Sequence, residues 1–243
     1  MAPEGSLISC VVPTFNAARY LDQALASILG QSYPEIEVVV VDDGSEDDTL
    51  TIAHAHGPKV RVFTQDRLGP AATRNRGVEE ARGAFVAFLD PDDLWHPDKL
   101  RRQRQSFADD PLLDLCLSHA RLQWEPAVAG EAERLRHLNR ATQPVPGFAT
   151  TTLLARRGAF ETVGLFDTSL WFADAVDWFM RAEAAGLKRR LLEEALTTHR
   201  MHGSNLTRRR SADSRSEFLG VVKRWADRRR APGSRPGSAP SEA

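Results

Sequence analysis

The sequence predicts an α/β protein whose central sheet is mostly parallel and is covered by helices on both faces. Two observations predict this fold class. Short apolar runs alternate with stretches of helical spacing through the first half of the chain. In addition, a continuous β-branched run such as residues 36–41 (IEVVVV) is typical of a parallel strand that is buried on both faces. Strand–helix alternation of this kind indicates a parallel sheet with a helix after each strand.

The first half of the chain supplies most of the predicted elements. Its apolar runs predict strands over residues 7–12, 36–41, 60–64, 84–89 and 112–117. The intervening stretches have apolar residues at helical spacing or begin with proline, which is favoured in the first turn of a helix. They predict helices over residues 17–29, 47–56, 70–82 and 97–108. In such a sheet, ligands bind beyond the carboxyl ends of the strands.

The second half of the chain is less regular. Residues 119–147 have no strong period and are predicted to form an insertion over one edge of the site, with a charged helical piece at 131–140. Regular structure is expected to return with a strand at 150–155, a helix from Arg157, a helix over 175–185 and a strand near 188–193.

The composition excludes several classes of protein. No apolar run approaches the ~20 residues of a membrane-spanning helix, and the N-terminus lacks the pattern of a secretory signal. Cys10 and Cys116 lie in apolar runs, which suits a reducing, cytoplasmic compartment rather than a disulfide scaffold. The net charge of −1 conceals an asymmetry, because residues 200–243 carry 11 Lys and Arg against 4 Asp and Glu.

Three acidic clusters lie where the predicted sheet would bind a ligand. Their members are Asp42 and Asp43, then Asp90, Asp92 and Asp93, and finally Asp174 and Asp177. Neighbouring carboxylates repel each other unless a positive charge compensates. A divalent cation would do so, because hard cations prefer oxygen ligands and Mg²⁺ commonly shares its coordination shell with phosphates.

Each of the first two clusters also has a purely structural interpretation. Asp, Gly and Ser at 42–45 are turn-forming residues. Acidic residues at 90–93 suit the N-terminus of a helix, where they interact with the macrodipole. The presence of both clusters at successive strand ends favours a ligand site over two unrelated turns.

The order of these segments resembles that of the family 2 glycosyltransferases. The matching segments are VVPTFNAARYLDQALASILGQSYPEIEVVVVDDGSEDDT, GPAATRNRGVEEARGAFVAFLDPDDLWHPDKL, GLFDTSL and HRMHGSN, and the resemblance runs from residue 7 to about 207. It implies the GT-A fold and an inverting transfer of a sugar from a nucleotide-diphosphate sugar, by family habit a UDP-sugar, to an acceptor hydroxyl.

The resemblance also implies which residues line the donor. They follow the first two strands, lie in the segment that has Arg-Asn after a Gly, or begin the acidic segment after the fourth strand. These residues are Pro13, Thr14, Phe15, Asn16, Asp42, Asp43, Gly69, Arg74, Asn75 and Asp90. Arg200 is expected to approach the diphosphate or an anionic acceptor because it is close in sequence to His202, and Trp95 is expected to line the donor site.

A metal site is implied by the same resemblance. Asp90 and Asp92 match the D-x-D motif, in which carboxylates bind the ribose and a metal that bridges the diphosphate. Asp92 is the expected direct ligand of Mg²⁺ or Mn²⁺. His202 matches a histidine near the metal, although a histidine in a polar surface loop is the alternative interpretation.

The general base departs from the family pattern. Counting back from Arg181 places Ala175 where the family usually has the catalytic Asp, with Asp174 on the preceding Glu. Asp177 falls on a second acidic position, and both aspartates are candidate bases. Asp174 acting only as a helix cap is the alternative.

One domain is expected over residues 1–228, divided into a donor-binding half (5–118) and an acceptor-side half (119–210). A disordered tail rich in Pro, Gly and Ser is expected over 229–243. The acceptor class stays open among saccharide, lipid-linked sugar, peptide and natural product. The basic C-terminal segment would make at most a peripheral contact with a membrane.

Two other functions compete with sugar transfer. Ala175 at the base position would also suit a nucleotide-sugar-binding protein of the same fold that is catalytically impaired. The basic runs at 208–210 and 228–230 could bind nucleic acid, but no nucleic-acid motif or interleaved aromatic residue accompanies them, so no nucleic-acid partner is expected.

Overall fold

The computed structural model describes residues 6–136, 144–205 and 211–230. Its strands, in chain order, are β1 (Ile8–Thr14), β2 (Ile36–Asp42), β3 (Val60–Thr64), β4 (Phe85–Phe88), β5 (Leu94–Trp95), β6 (Leu115–Trp124), β7 (Val145–Pro146), β8 (Leu154–Arg156) and β9 (Arg189–Met201). Its α-helices are α1 (Leu21–Leu29), α2 (Thr49–Ala55), α3 (Pro70–Glu80), α4 (Lys99–Asp109), α5 (Ala129–Arg136), α6 (Gly158–Val163), α7 (Asp174–Ala184) and α8 (Ser211–Arg230).

The strands form one sheet in the order β3-β2-β1-β4-β8-β6-β9-β5, and β7 pairs with β6. The first four strands along this order are parallel to one another, as predicted from their apolar runs. Beyond β4 the sheet is mixed, because β8 is antiparallel to both β4 and β6, whereas β6 and β9 are parallel. The α/β fold class is confirmed, with the parallel pairing concentrated in the first half of the chain.

Strand β2 shows how helices cover both faces of the sheet. Val38 and Val40 belong to one buried cluster, together with residues of α1. Val39 and Val41 belong to a second cluster on the opposite face, together with residues of α3 and α7. A strand whose alternate side chains are both buried has to be apolar at every position, which explains the continuous valine run.

Several elements differ from the sequence-based expectation. The strand expected at 112–117 instead runs from Leu115 to Trp124, into the predicted insertion, because it pairs with the long strand β9. The strand expected at 150–155 is a 3₁₀ turn (Thr150–Thr152) followed by the short strand β8. Helix α8 was not predicted.

Other expectations fall partly outside the described residues. Helix α8 continues through Arg230, two residues into the predicted tail, and residues 231–243 are not described. The basic run at 208–210 is not described either. No described helix combines the length and apolar character needed to cross a membrane. Both cysteines are buried and free of disulfide bonds.

Helix α3 lies unusually close to strand β1 at Gly77. A Cβ atom placed there would lie 2.2 Å from Val11 Cγ1. Val11 belongs to a fully buried strand, so it has no space into which to move. This close approach holds the helix that carries Arg74 and Asn75 against the centre of the sheet.

Replacing Gly77 by Ala is expected to lower the free energy of unfolding by about 1–3 kcal/mol, because the added methyl group overpacks the α3–β1 contact. Urea denaturation measures the change. Gly130→Ala is the matched control, since Gly130 is also helical and a Cβ there meets no atom within 4 Å. Equal stability of the two variants would contradict the packing argument.

A lysine is buried in the core beneath the acidic segment. The Nζ atom of Lys99 donates to Gln103 Oε1 at 2.8 Å and lies 4.3 Å from the centre of the Trp95 ring. Burial lowers the pKa of Lys99 to about 7. Trp95 is itself buried, and its Nε1 donates to Thr151 O at 2.9 Å. Trp95 therefore packs in the core, and its expected place beside the donor stays a prediction.

Lys99→Met is expected to be more stable than the wild type near pH 7, with a difference that narrows as the pH rises towards 9. Between these values the unfolded wild-type chain keeps Lys99 protonated, whereas the folded chain does not. Raising the pH therefore favours the wild-type fold, by up to about 1.4 kcal/mol per pH unit. Denaturation of both proteins at several pH values tests this, and a constant difference would contradict the lowered pKa.

Candidate functional site

The first acidic cluster binds the loops around it. Asp42 ends β2 and is buried, where it accepts from the backbone N–H of Ser45 at 2.9 Å and from Thr14 Oγ1 at 3.2 Å. Thr14 lies opposite Asp42 in the register of β1 and β2. Asp42 therefore joins the ends of two parallel strands to the turn that follows them.

Asp43 holds the loop that precedes α3. Its Oδ1 accepts from Gln65 Nε2 at 2.8 Å and from the backbone N–H of Leu68 at 2.9 Å. Its Oδ2 accepts from the backbone N–H of Gly69 at 2.9 Å. Gly69 has φ +91°, which explains why glycine suits this position.

The turn after β1 lies beside Asp42. Asn16 has φ +48°, a conformation that asparagine tolerates better than most residues. Its backbone N–H donates to Ser45 Oγ at 2.8 Å, and its Oδ1 accepts from the N–H of Glu46 at 2.9 Å. Phe15 is half-buried, with the Arg67 guanidinium 4.1 Å from the centre of its ring. Pro13 lies within β1 and is buried.

Arg74 joins the second acidic cluster to the third. Its Nη2 donates to Asp90 Oδ1 at 3.0 Å, and its Nη1 donates to Asp174 Oδ2 at 2.7 Å. Burial opposes the positive charge, but the two carboxylates outweigh this effect and raise the pKa of Arg74. Asn75 is buried beside it and exchanges two hydrogen bonds with the backbone of Phe166, at 2.9 and 2.8 Å.

Asp92 contacts the segment that follows β9. Its Oδ2 accepts from Asn205 Nδ2 at 3.0 Å and lies 2.9 Å from His202 Nε2. The other ring nitrogen, Nδ1, lies 2.7 Å from Ser204 Oγ. The structure thus brings His202 to the acidic segment, and its role beside a metal stays a prediction.

Asp93 and His199 form a second pair behind Asp92; the sequence analysis placed Asp93 only in the acidic cluster and gave His199 no role. The fully buried Asp93 has its Oδ2 2.8 Å from His199 Nδ1, and its Oδ1 accepts from the N–H of Arg200 at 3.1 Å. Burial raises the pKa of Asp93 to about 6. Burial disfavours the charged imidazole of His199, but Asp93 and its acidic neighbours outweigh this and raise the pKa of His199 to about 9.

Residues at the start of α1, just after β6 and in β9 lie around His202. The Tyr20 ring stacks on His202 with centroids 4.7 Å apart, and its hydroxyl donates to Glu125 Oε1 at 2.7 Å. The buried Arg200 lies 5.2 Å from the Tyr20 ring, and its Nη1 donates to Gln23 Oε1 at 2.8 Å. The side chain of Arg200 thus reaches helix α1. Its role in binding a diphosphate stays a prediction.

The two candidate bases differ in their surroundings. Asp174 is buried and paired with Arg74. Asp177 pairs with Arg181 at 2.7 Å, and it also lines a small cavity between α7 and α8. Ala175, at the position where the family usually has its base, is half-buried beside the core. Both carboxylates at the start of α7 therefore have an arginine partner.

Exposure separates the acidic residues. The Asp90 and Asp92 side chains are 29% and 22% exposed, whereas Asp42, Asp43, Asp93 and Asp174 are buried. Among the described residues, no three His, Cys, Asp or Glu side chains form a group that could hold a metal ion by themselves. Asp90 and Asp92 nevertheless fit a Mg²⁺ or Mn²⁺ that a substrate shares, because Mg²⁺ is usually bound through one or two carboxylates plus phosphates.

Comparison with known proteins identifies the family. The family model described as Glycosyl transferase family 2 matches residues 9–164. The chain belongs to this family. An uncharacterized glycosyltransferase of Nostoc sp. is 33% identical over 213 residues, which are 82% of this chain and 66% of that protein. A putative teichuronic acid biosynthesis glycosyltransferase, TuaG of Bacillus subtilis, is 39% identical over 101 residues, 40% of each chain. The chain therefore spans about two thirds or less of these family 2 relatives.

Solved structures confirm the GT-A fold of this family 2 member. The mannosyltransferase PcManGT of Pyrobaculum calidifontis, in complex with GDP-Man and Mn²⁺, has a TM-score of 0.72 and is 22% identical. The match covers 96% of this chain and 65% of that one. Residues 1–349 of S. aureus TarS, in complex with UDP-GlcNAc, have a TM-score of 0.69 at 22% identity, covering 90% and 65%.

Replacing Arg74 by Met is expected to lower the free energy of unfolding by about 3–5 kcal/mol, because Asp90 and Asp174 lose their shared buried partner. Arg76→Met is the matched control on the same helix, since Arg76 makes an exposed ion pair with Glu80 at 2.8 Å. The control should change stability by about 1 kcal/mol or less. Similar losses in both variants would contradict a special role for Arg74.

Proposed function

We propose that this protein transfers a sugar from a nucleotide-diphosphate sugar, with a UDP-sugar as the first candidate, to an acceptor hydroxyl with inversion of configuration. The observation that carries the proposal is the arrangement at the end of β4. There Asp90 and Asp92 are partly open to solvent, while Arg74 and His202 hold them from either side. Family 2 membership and the bound UDP-GlcNAc and GDP-Man of the structural neighbours support a donor of this class.

We assign different parts of the donor to different residues at the strand ends. The turn at Thr14–Asn16, together with Asp43 and Gly69, borders the nucleotide, and Asp90 faces the ribose. Asp92, Asp90 and His202 would hold a Mg²⁺ or Mn²⁺, which would offset the negative charge that develops on the leaving diphosphate. The Mn²⁺ bound to PcManGT supports this cofactor.

The acceptor hydroxyl needs a base on the side opposite the leaving group. Asp174 and Asp177 are the candidates, and each would have to release its arginine partner, or share it, in order to take a proton. The acceptor itself would contact the second half of the chain, between β6 and α7. A saccharide, a lipid-linked sugar, a peptide and a natural product are all open as acceptors.

A second candidate function has a specific observation in its favour. Ala175 cannot take a proton, and both nearby carboxylates are paired with arginines. A nucleotide-sugar-binding protein that has lost catalysis would look the same. Calorimetry that shows binding of nucleoside diphosphate, with no donor hydrolysis and no transfer to any acceptor class, would support this second function.

A cytoplasmic location, with at most peripheral membrane contact, is also part of the proposal. Helix α8 exposes Phe218 and Leu219 next to Arg215 and Lys223, a combination of apolar and basic side chains that suits an anionic lipid surface. Sedimentation with vesicles that contain anionic lipid, compared with neutral vesicles, would test this contact.

The central test is a screen of nucleotide sugars for turnover with and without Mg²⁺ or Mn²⁺. Asp92→Asn is expected to lower kcat/KM by about 100-fold or more, because the metal and the diphosphate lose a ligand. Asp109→Asn, an exposed acid in α4, is the matched control and should leave the rate unchanged.

The outcomes separate the parts of the proposal. Full transfer without a divalent cation would contradict the role of Asp92. Activity that survives both Asp174→Asn and Asp177→Asn would show that neither residue is the base. Absence of binding to any nucleotide sugar would contradict the proposal as a whole.

A further inference from the structure

Helix α8 packs on the start of α7 through a small apolar cluster. Leu170, Ala173 and Val221 are buried together, with Val176 and Met180 packed around them. This cluster lies beyond residues 9–164, the part that the family model matches. The family model therefore does not cover this contact.

Glu217 of α8 makes the polar contact at the centre of this interface. Its Oε1 accepts from the backbone N–H of Phe172 and from that of Ala173, both at 3.0 Å. Ala173 is the N-cap residue of α7, and its methyl side chain cannot accept a hydrogen bond. A carboxylate from another helix therefore satisfies the amides that precede α7, where a negative charge also complements the helix dipole.

The segment held by Glu217 contacts the candidate site at two points. Asp174, the next residue, pairs with Arg74, which in turn binds Asp90. On the other side, Trp171 packs against Gly69, because a Cβ atom on Gly69 would lie 3.3 Å from two atoms of the indole ring. The N–H of Gly69 binds Asp43. The two amides bound by Glu217 thus lie between Trp171 and Asp174. Trp171 contacts the proposed nucleotide-binding residues, and Asp174 contacts the proposed metal-binding residues through Arg74.

We propose that Glu217 is a positioning residue for sugar transfer: it holds residues 171–174 so that Asp174 orients Arg74 and Asp90 while Trp171 lies against Gly69. This inference rests on the proposed function. Trp171 is 37% exposed, so packing alone does not fix the position of its ring, and the position also depends on the backbone of residues 171–174. Loss of the Glu217 contact would leave the backbone amides of Phe172 and Ala173 without this acceptor.

Kinetics of variants at Glu217, with one control variant at Asp213, test this role. Glu217→Ala is expected to lower kcat/KM by about 10-fold to 100-fold, since small displacements of positioning groups have effects of this size. Glu217→Gln should retain most of the activity, because an amide oxygen can accept the same two hydrogen bonds. Asp213→Ala removes an exposed acid one turn away on α8 and should behave as the wild type. Glu217→Asp replaces the alanine variant if the latter does not fold, and its shorter side chain should also lose activity.

Fluorescence supplies a readout that does not depend on turnover. In Glu217→Ala, acrylamide should quench tryptophan emission more strongly than in the wild type, because Trp171 leaves Gly69. The same substitution in a Trp171→Phe background should produce no such increase. All kinetic and quenching measurements are made well below the melting temperature of each variant, so that global unfolding does not contribute.

The results distinguish this inference from the proposed function. If the wild type transfers no sugar from any donor, the proposed function fails, and the quenching experiment still reports whether Glu217 holds Trp171. If Glu217→Ala lowers only the melting temperature and leaves both kcat/KM and quenching unchanged, the positioning role is overturned. Loss of activity in Glu217→Gln equal to that in Glu217→Ala would also overturn it.

Discussion

The Arg74 guanidinium binds two carboxylates that come from distant parts of the chain. Asp90 follows a parallel strand of the first half, whereas Asp174 begins a helix of the second half, 100 residues beyond Arg74. A buried guanidinium needs compensating negative charge, and these two carboxylates supply it. Gly69, the N-cap residue of the same helix, donates its backbone N–H to Asp43. The N-terminal part of α3, with its N-cap residue, therefore connects all three acidic clusters.

The negative charges of the remaining carboxylates are also compensated by groups close to them. Asp42 and Asp43 accept hydrogen bonds from fixed backbone groups, and Asp93 lies against His199. Among the acidic clusters, Asp90 and Asp92 keep the most access to solvent, followed by Asp177. Asp90 and Asp92 also have partners, Arg74 and His202, but their side chains stay 29% and 22% exposed. This difference in exposure is the reason that Asp90 and Asp92 are the proposed metal ligands.

The sequence was sufficient to predict the parallel half of the sheet and the acidic residues at its edge, because both depend on local patterns. Continuous apolar runs identify strands such as β2, and the order of strands and helices places Asp43 and Asp90 at one end. The length of β6 could not be predicted, since it depends on pairing with β9 more than 70 residues later. The same holds for Tyr20 and Glu125, which are 105 residues apart, and for Glu217 with Ala173. Nothing in the local sequence of either partner marks such contacts.

The pairing of Asp92 with His202 and Asn205 joins residues that are 110 and 113 positions apart. Strand β9 has to be in place next to β5 and β6 before these groups can meet. A ligand that needs all of them can bind only to a chain whose sheet is fully assembled, and its binding energy then stabilises the entire sheet rather than a single loop. Ligand binding would therefore stabilise only chains in which β9 is paired in the sheet. A chain without β9 would gain no stability from the ligand.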